Sequence, residues 1–324
     1  MTDGQDTPAG GGRVPGLTTR LAQQLRSAGL DPASIAGFVA AALAEDLAGG
    51  TDVTTATTVA ANATGAAELV ARSSGVVAGL PVAALVFELA GAGPGAAGLV
   101  GTQLAADGDR VAAGQPVLRV SGLIRPILTA ERTALNLLCH LSGVATLTRQ
   151  WADAIAGTGA RVRDTRKTTP GLRALEKYAV RCGGGLNHRM SLSDAALIKD
   201  NHVAAAGSVA GAFAAVRSAA PDLPLEVECD TLDQVAEALA AGAGQILLDN
   251  FGVPDMAAAV ALAAGRARLE ASGGLTLASA RAVAETGVDY LAVGALTHSA
   301  PALDIGLDLL PANATIGLPD ATDD

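Results

Sequence analysis

Four short apolar runs, Leu225–Cys229, Ile246–Asp249, Leu269–Ser272 and Tyr290–Gly294, recur at intervals of about 22 residues. The stretches between them, such as Leu232–Ala241 and Pro254–Ala264, read as helices. One strand and one returning helix fill such a period, and repeated β–α units build a parallel sheet. Upstream, Val162–Asp164 and Ala196–Lys199 read as two more strands, and a seventh is expected near Ala302–Leu309. This count predicts a parallel α/β barrel rather than an open sheet.

The residues before the barrel have a different character. Asp31 can cap a helix over Asp31–Leu47, with Pro32 in its first turn. Gly49–Thr55 reads as a polar loop, Ala66–Arg72 and Val76–Ala78 as strands, and Pro81–Ala90 as a helix. Asp107–Val111 is a turn between strands and is followed by Gly114–Val120. Residues 17–123 are therefore expected to form an α+β sandwich domain, and residues 124–317 the barrel, with the last strand or helix free to return to the first domain. Ile124 to about Ala156 reads as a helix interrupted near Ser142-Gly143. Residues 1–16 and 318–324 have the composition of disordered tails.

The barrel strands are apolar until their C-terminal ends, where polar residues gather. The ends supply Asp164-Thr165-Arg166-Lys167, Lys199-Asp200-Asn201-His202, Glu228, Asp249, Ser272-Gly273-Gly274 and Gly294. That end of a parallel barrel is where active sites are built. Leu225, Val227 and Cys229 share one face of their strand, so Glu226 and Glu228 share the other, interior face.

Charge is distributed with the same bias. The chain has a net formal charge of −10, yet its only lysines, Lys167, Lys177 and Lys199, fall within Arg161–His202 together with six arginines. A cationic segment in an acidic protein attracts anions. Arg166, Lys167, His188, Arg189 and Lys199, with Arg132 added from the preceding helix, form the candidate anion site. Glu228 and Asp249 can hold Mg²⁺ or sugar hydroxyls, and the glycines at the strand ends let backbone amides approach a phosphate. The pattern suits a phosphorylated sugar together with a carboxylate-bearing molecule. Glu176-Lys177 reads as an exposed helix face outside this site.

Several classes are disfavoured. Aromatic residues make up only 2% of the chain, which leaves few base-stacking platforms, and the acidic balance opposes nucleic acid. The separated Cys139, Cys182 and Cys229 suit reduced thiols rather than disulfides or a zinc knuckle. No signal-peptide pattern or membrane-length apolar run occurs, so a cytoplasmic location is expected. Asp107–Val120 has the turn of a biotinyl or lipoyl carrier, but no lysine precedes Lys167 to be modified.

These residues resemble the quinolinate phosphoribosyltransferase family. The resemblance rests on Glu45-Asp46 with Asp52–Thr55, Ala130–Asn136 with Leu141–Gly143, Asp164–Thr168 and Leu175–Val180. It continues through Gly183–Gly185 with Asn187–Arg189, Leu197–His202, Glu226–Glu228, Leu248–Asn250, Ser272–Gly274 and Val293–Thr297. It implies an α/β sandwich followed by a seven-stranded barrel, Mg²⁺ dependence, and a homodimer in which Arg132 completes the partner's site. It further implies that Thr165, Arg166, Lys167, His188, Arg189 and Lys199 surround quinolinate and the diphosphate. Glu228 and Asp249 would face ribose and Mg²⁺, directly or through water, and Ser272–Gly274 with Val293–Ala295 would take the 5-phosphate of phosphoribosyl diphosphate. Ser191 stands where the family pattern has glycine, which puts the placement of the loop after Arg189 in question. The competing reading is a related transferase acting on another pyridine or pyrimidine acid without decarboxylation.

Overall fold

The computed structural model describes residues 17–92 and 98–311. Both terminal tails named above lie outside them.

In the N-terminal part, helices α1 (Thr19–Ser27), α2 (Pro32–Leu47), α3 (Val53–Thr58) and α4 (Leu80–Ala90) accompany strands β1 (Thr64–Ala71), β2 (Gly75–Val76), β3 (Val100–Gln103), β4 (Arg110–Val111) and β5 (Pro116–Leu123). Asp31 caps α2 through the Ser34 amide at 2.8 Å, as its position before Pro32 predicts. Asp52 likewise accepts from the Thr55 amide at 2.9 Å, which turns the expected polar loop over Val53–Thr55 into the start of α3. Leu80–Phe87 is buried along its whole length, so α4 forms the centre of this layer.

Helix α5 (Ile124–Ala154) links the two parts and runs without a break through Ser142-Gly143, contrary to the expected interruption. The two residues serve packing instead. The Ser142 hydroxyl accepts from the Ala78 amide at 3.0 Å, and a Cβ on Gly143 would lie 2.2 Å from the Pro301 carbonyl oxygen. Glycine here lets another backbone segment press against the helix.

The barrel strands are β6 (Arg161–Arg163), β7 (Ala196–Ile198), β8 (Leu225–Cys229), β9 (Gln245–Asp249), β10 (Arg268–Ser272) and β11 (Tyr290–Ala292). They form a parallel sheet in the order β6-β11-β10-β9-β8-β7. Helices α6 (Arg173–Cys182), α7 (Asp200–Ala206), α8 (Val209–Ala219), α9 (Leu232–Ala240), α10 (Val253–Ala263), α11 (Leu277–Ala284) and the short α12 (Ala295–His298) complete the β–α units. The seventh position is a single parallel bridge from Leu186 to Arg163.

The strand expected near Ala302–Leu309 is found as β12 (Ile305–Leu309); it does not enter the barrel but takes the other place left open for it, in the first domain. It pairs antiparallel with β1 in a sheet ordered β12-β1-β5-β3. Its alternation explains the placement. Ile305 is buried in the core while Asp308 reaches an exposed Arg72 at 2.5 Å, so only one face suits burial. Half-covered strands of this kind belong in antiparallel sheets.

No single helix among the described residues is long and apolar enough to cross a membrane.

Candidate active site

The C-terminal ends of the barrel strands surround a cavity of about 390 Å³. Thr165, Arg166, Lys167, His188, Arg189, Lys199, Glu228, Asp249 and Ser272 line it, together with Leu197, Leu247, Glu270 and Ala292. Nine of the residues singled out in the sequence thus meet in one place. Arg132 does not join them within one chain. It lines a separate cleft of about 290 Å³ with Asp46, Leu47, Thr51, Asp52, Leu128 and Thr129.

The cations are held in different ways. Lys199 is half-exposed and paired with Glu228 from the neighbouring strand. The Arg189 Nη1 donates to the Ala195 carbonyl at 2.9 Å. Burial, then the nearby Arg166 charge, hold the Arg189 guanidinium below its ordinary range. The buried Nε of Arg166 has no partner among the described residues. Two close guanidiniums and an unpaired donor are costly without an anion, so this side of the cavity is prepared for one.

His188 differs from the expectation that it adds a free positive charge. Its Nδ1 accepts from the Arg189 amide at 2.7 Å, which leaves Nε2 as the N–H donor to Glu226 at 2.8 Å. His188, Glu226 and Glu270 lie close enough to resemble metal ligands, but the Nε2 proton occupies that position.

The phosphate-side glycines have steric reasons for their identity. Gly273 has φ +84° and a Cβ there would sit 2.1 Å from Asn250 Oδ1. Gly274 has φ +59°. A Cβ on Gly294 would come within 2.9 Å of Lys167 Cδ, and the Thr297 hydroxyl donates to the Lys167 carbonyl at 2.7 Å. The Val293–Ala295 turn therefore packs against the Lys167 loop. Val293 itself is buried, and its amide donates to the Arg163 carbonyl at 2.9 Å.

The expectation that Glu176-Lys177 is exposed is wrong. Both side chains are fully buried. Lys177 pairs with Asp164 and also donates to the His188 carbonyl at 2.9 Å. Asp164 accepts in addition from Asn187 at 2.5 Å and the His188 amide at 2.8 Å. Burial raises the Asp164 carboxyl and lowers the Lys177 ammonium, and each opposes the other's shift. Glu176 accepts from the Thr169 amide at 3.1 Å and meets His140 at 3.0 Å. Helix α6 thus fastens both cationic loops, one after β6 and one around His188-Arg189. The lysine scarcity was a usable signal for Lys177, and strand alternation with Ser272 was one for Glu270.

Ser191 causes no backbone strain, since its φ is not in the left-handed region. Its hydroxyl lies 2.9 Å from Ser193 and donates to Asp194 at 3.2 Å, and Asp194 accepts from the Met190 and Ser191 amides at 2.6 and 3.1 Å. The loop accommodates serine within its own hydrogen bonds.

Known proteins share this sequence and fold. Residues 52–142 match the quinolinate phosphoribosyl transferase N-terminal domain, and residues 144–308 match the C-terminal domain of the same family. The nicotinate-nucleotide pyrophosphorylase [carboxylating] of Mycobacterium leprae is 55% identical over 271 residues, covering 83% of this chain and 94% of that protein. A Synechocystis protein described as a probable enzyme of the same name is 45% identical over 250 residues, covering 76% and 83%. The crystal structure of NadC from Streptococcus pyogenes superposes with a TM-score of 0.81 at 42% identity, covering 87% of this chain and 99% of that one.

Proposed function

The chain belongs to the quinolinate phosphoribosyltransferase family, and from that premise we propose how its barrel mouth works. The reaction transfers the phosphoribosyl group of phosphoribosyl diphosphate to the ring nitrogen of quinolinate with decarboxylation, giving nicotinate mononucleotide, diphosphate and CO₂. The observation that carries the assignment to this cavity is the meeting of Arg166, Lys167, Arg189 and Lys199 around one space of about 390 Å³. Four cations there would repel one another without a multiply charged ligand.

In this reading Arg166, Arg189 and Lys199 hold the two quinolinate carboxylates, and Thr165 and Lys167 face the diphosphate. His188 orients Arg189 through the Nδ1 contact to its amide. The backbone of Ser272–Gly274 and Val293–Ala295 approaches the 5-phosphate, where glycines leave room for it. The ring nitrogen attacks the anomeric carbon as diphosphate leaves through an oxocarbenium-like state. The resulting pyridinium withdraws electrons from C2 and makes loss of the adjacent carboxylate easier. The fixed positive charges then stabilise the carbanion left by CO₂.

Glu228 and Asp249 fit a magnesium role. Lys199 engages one Glu228 oxygen and Asn250 one Asp249 oxygen at 2.7 Å, so each carboxylate keeps another oxygen. One or two carboxylates with substrate phosphates are the donor set Mg²⁺ takes. When bound, Mg²⁺ offsets the charge that develops on departing diphosphate.

The position of Arg132 in a cleft apart from the barrel cavity supports a homodimer in which it completes the partner's site. A cytoplasmic location suits this chemistry.

Arg189→Met tests the assignment. Losing a charged hydrogen-bonding group is worth roughly 1.5–3 kcal/mol, so KM for quinolinate should rise about 10- to 100-fold. A KM within about twofold of the parent would contradict the placement of quinolinate at Arg189.

A further inference from the structure

Beneath the cations the cavity is closed by a carboxyl group that the scheme above does not use. Glu270 sits in the middle of β10 and is fully buried. Three groups face it from the surrounding elements. Arg163 of β6 donates Nη1 to Glu270 Oε2 at 2.5 Å, and its guanidinium lies 4.6 Å over the Tyr290 ring of β11. His188 brings its Nε2 within 3.4 Å of Glu270 Oε1. Glu226 of β8 shares that same Nε2, at 2.8 Å. Glu228 and Asp249 stand farther along β8 and β9 at the cavity, with the four cations already described.

The hydrogen bonds do not balance. Glu226 Oε1 and Glu270 Oε1 are both buried, and neither has a partner among the described residues. An ionised carboxylate only accepts, so two such carboxylates, with ligand oxygens within 4.8 Å of each other, leave both Oε1 atoms without a donor and repel each other. His188 cannot supply it, because its one ring proton is already directed at Glu226 Oε2. The missing donor can be a proton on one carboxyl. Glu270 is the better holder, being the more deeply buried of the two.

We propose that Glu270 carries a proton, so that it faces Glu226 as a neutral carboxyl rather than a second carboxylate, and thereby lets the cavity accept a doubly charged acid. With Glu270 ionised, two adjacent negative charges would underlie the dicarboxylate and oppose its binding. Protonated, the group is neutral, and the cations above act on the ligand with less opposition. Burial first, and then the Glu226 charge, raise the Glu270 carboxyl to about 7, so this proton is exchangeable near neutrality. Glu270 is thus a specificity-determining residue. It does not supply a proton to the reaction. The inference rests on the assignment of quinolinate to this cavity.

The test is calorimetric binding of quinolinate to the full chain at several pH values, in buffers of different ionisation heat. Quinolinate is a dianion throughout this range, so proton uptake reports on the protein. For the parent chain, Kd should rise about tenfold between about pH 6 and about pH 8. Binding should take up almost no proton at about pH 6 and approach one at about pH 8. Glu270→Gln, the uncharged isostere, should bind tightly at both ends with no uptake. Parent binding without proton uptake, or a Glu270→Gln profile that tracks the parent's, overturns the proposal. If Glu270→Gln does not fold, uptake by the parent decides: its presence supports the proposal and its absence overturns it. Absence of quinolinate binding at every pH would instead contradict the functional reading, and the proposal with it.

Discussion

Lys177→Met removes the ammonium of a fully buried ion pair while keeping most of the side-chain volume. Asp164 would then retain only the Asn187 amide and the His188 backbone N–H as donors. Breaking a buried pair by removing one partner costs about 3–5 kcal/mol, because the remaining charge is left uncompensated. That corresponds to a fall in Tm of roughly 5–15 °C. The cost should depend on pH with a definite sign. Burial already raises the Asp164 carboxyl and Lys177 pulls it back down, so without Lys177 it rises further. The folded variant then binds a proton that the unfolded chain releases. Its deficit is therefore full above the variant's Asp164 pKa and shrinks as pH falls through it toward the ordinary carboxylate range. The His188 carbonyl also loses its donor, so KM for quinolinate should rise by about tenfold even where the variant is folded. Urea unfolding followed by circular dichroism across pH, with steady-state kinetics, measures both. A deficit below about 1 kcal/mol, or one that does not change with pH, would refute the reasoning.

Three further outcomes follow from the geometry. Gly143→Ala should destabilise the chain by about 1–3 kcal/mol in urea unfolding, since its Cβ would meet the Pro301 carbonyl at 2.2 Å and that neighbour is backbone. Ser191→Gly should leave kcat/KM within about twofold of the parent, because Ser191 has no positive φ to relieve and its contacts stay within the loop. Arg132→Ala and Lys199→Ala should each be nearly inactive as homodimers, yet on mixing should regain up to about a quarter of the parent activity if Arg132 serves the partner's site.

Much of this was legible in the chain because strand periodicity and strand ends are local properties. Leu225–Cys229 through Tyr290 announced the barrel, and the polar residues after each run announced its mouth. What escaped depends on partners distant in sequence. Lys177 looks like a solvated helix residue until Asp164 and the His188 carbonyl are brought to it by the fold. Ser142-Gly143 looks like a break until Ala78 and Pro301 are seen to need the space. Ile305–Leu309 can be read as one more strand of the barrel or as a strand that returns to the first domain, and its antiparallel pairing with β1 decides for the second. His188 carries a histidine's potential charge in the sequence, but Arg189 and Glu226 occupy both ring nitrogens.

In the proposed reading this cavity joins phosphoribosyl transfer to decarboxylation of a pyridine dicarboxylate. The most direct measurement supplies purified protein with phosphoribosyl diphosphate, Mg²⁺ and quinolinate labelled in its 2-carboxylate, with nicotinate in a parallel reaction. Labelled CO₂ and nicotinate mononucleotide are expected in equal amounts from quinolinate, with no product from nicotinate. Turnover of nicotinate with none of quinolinate, or a mononucleotide that keeps the label, would contradict that reading.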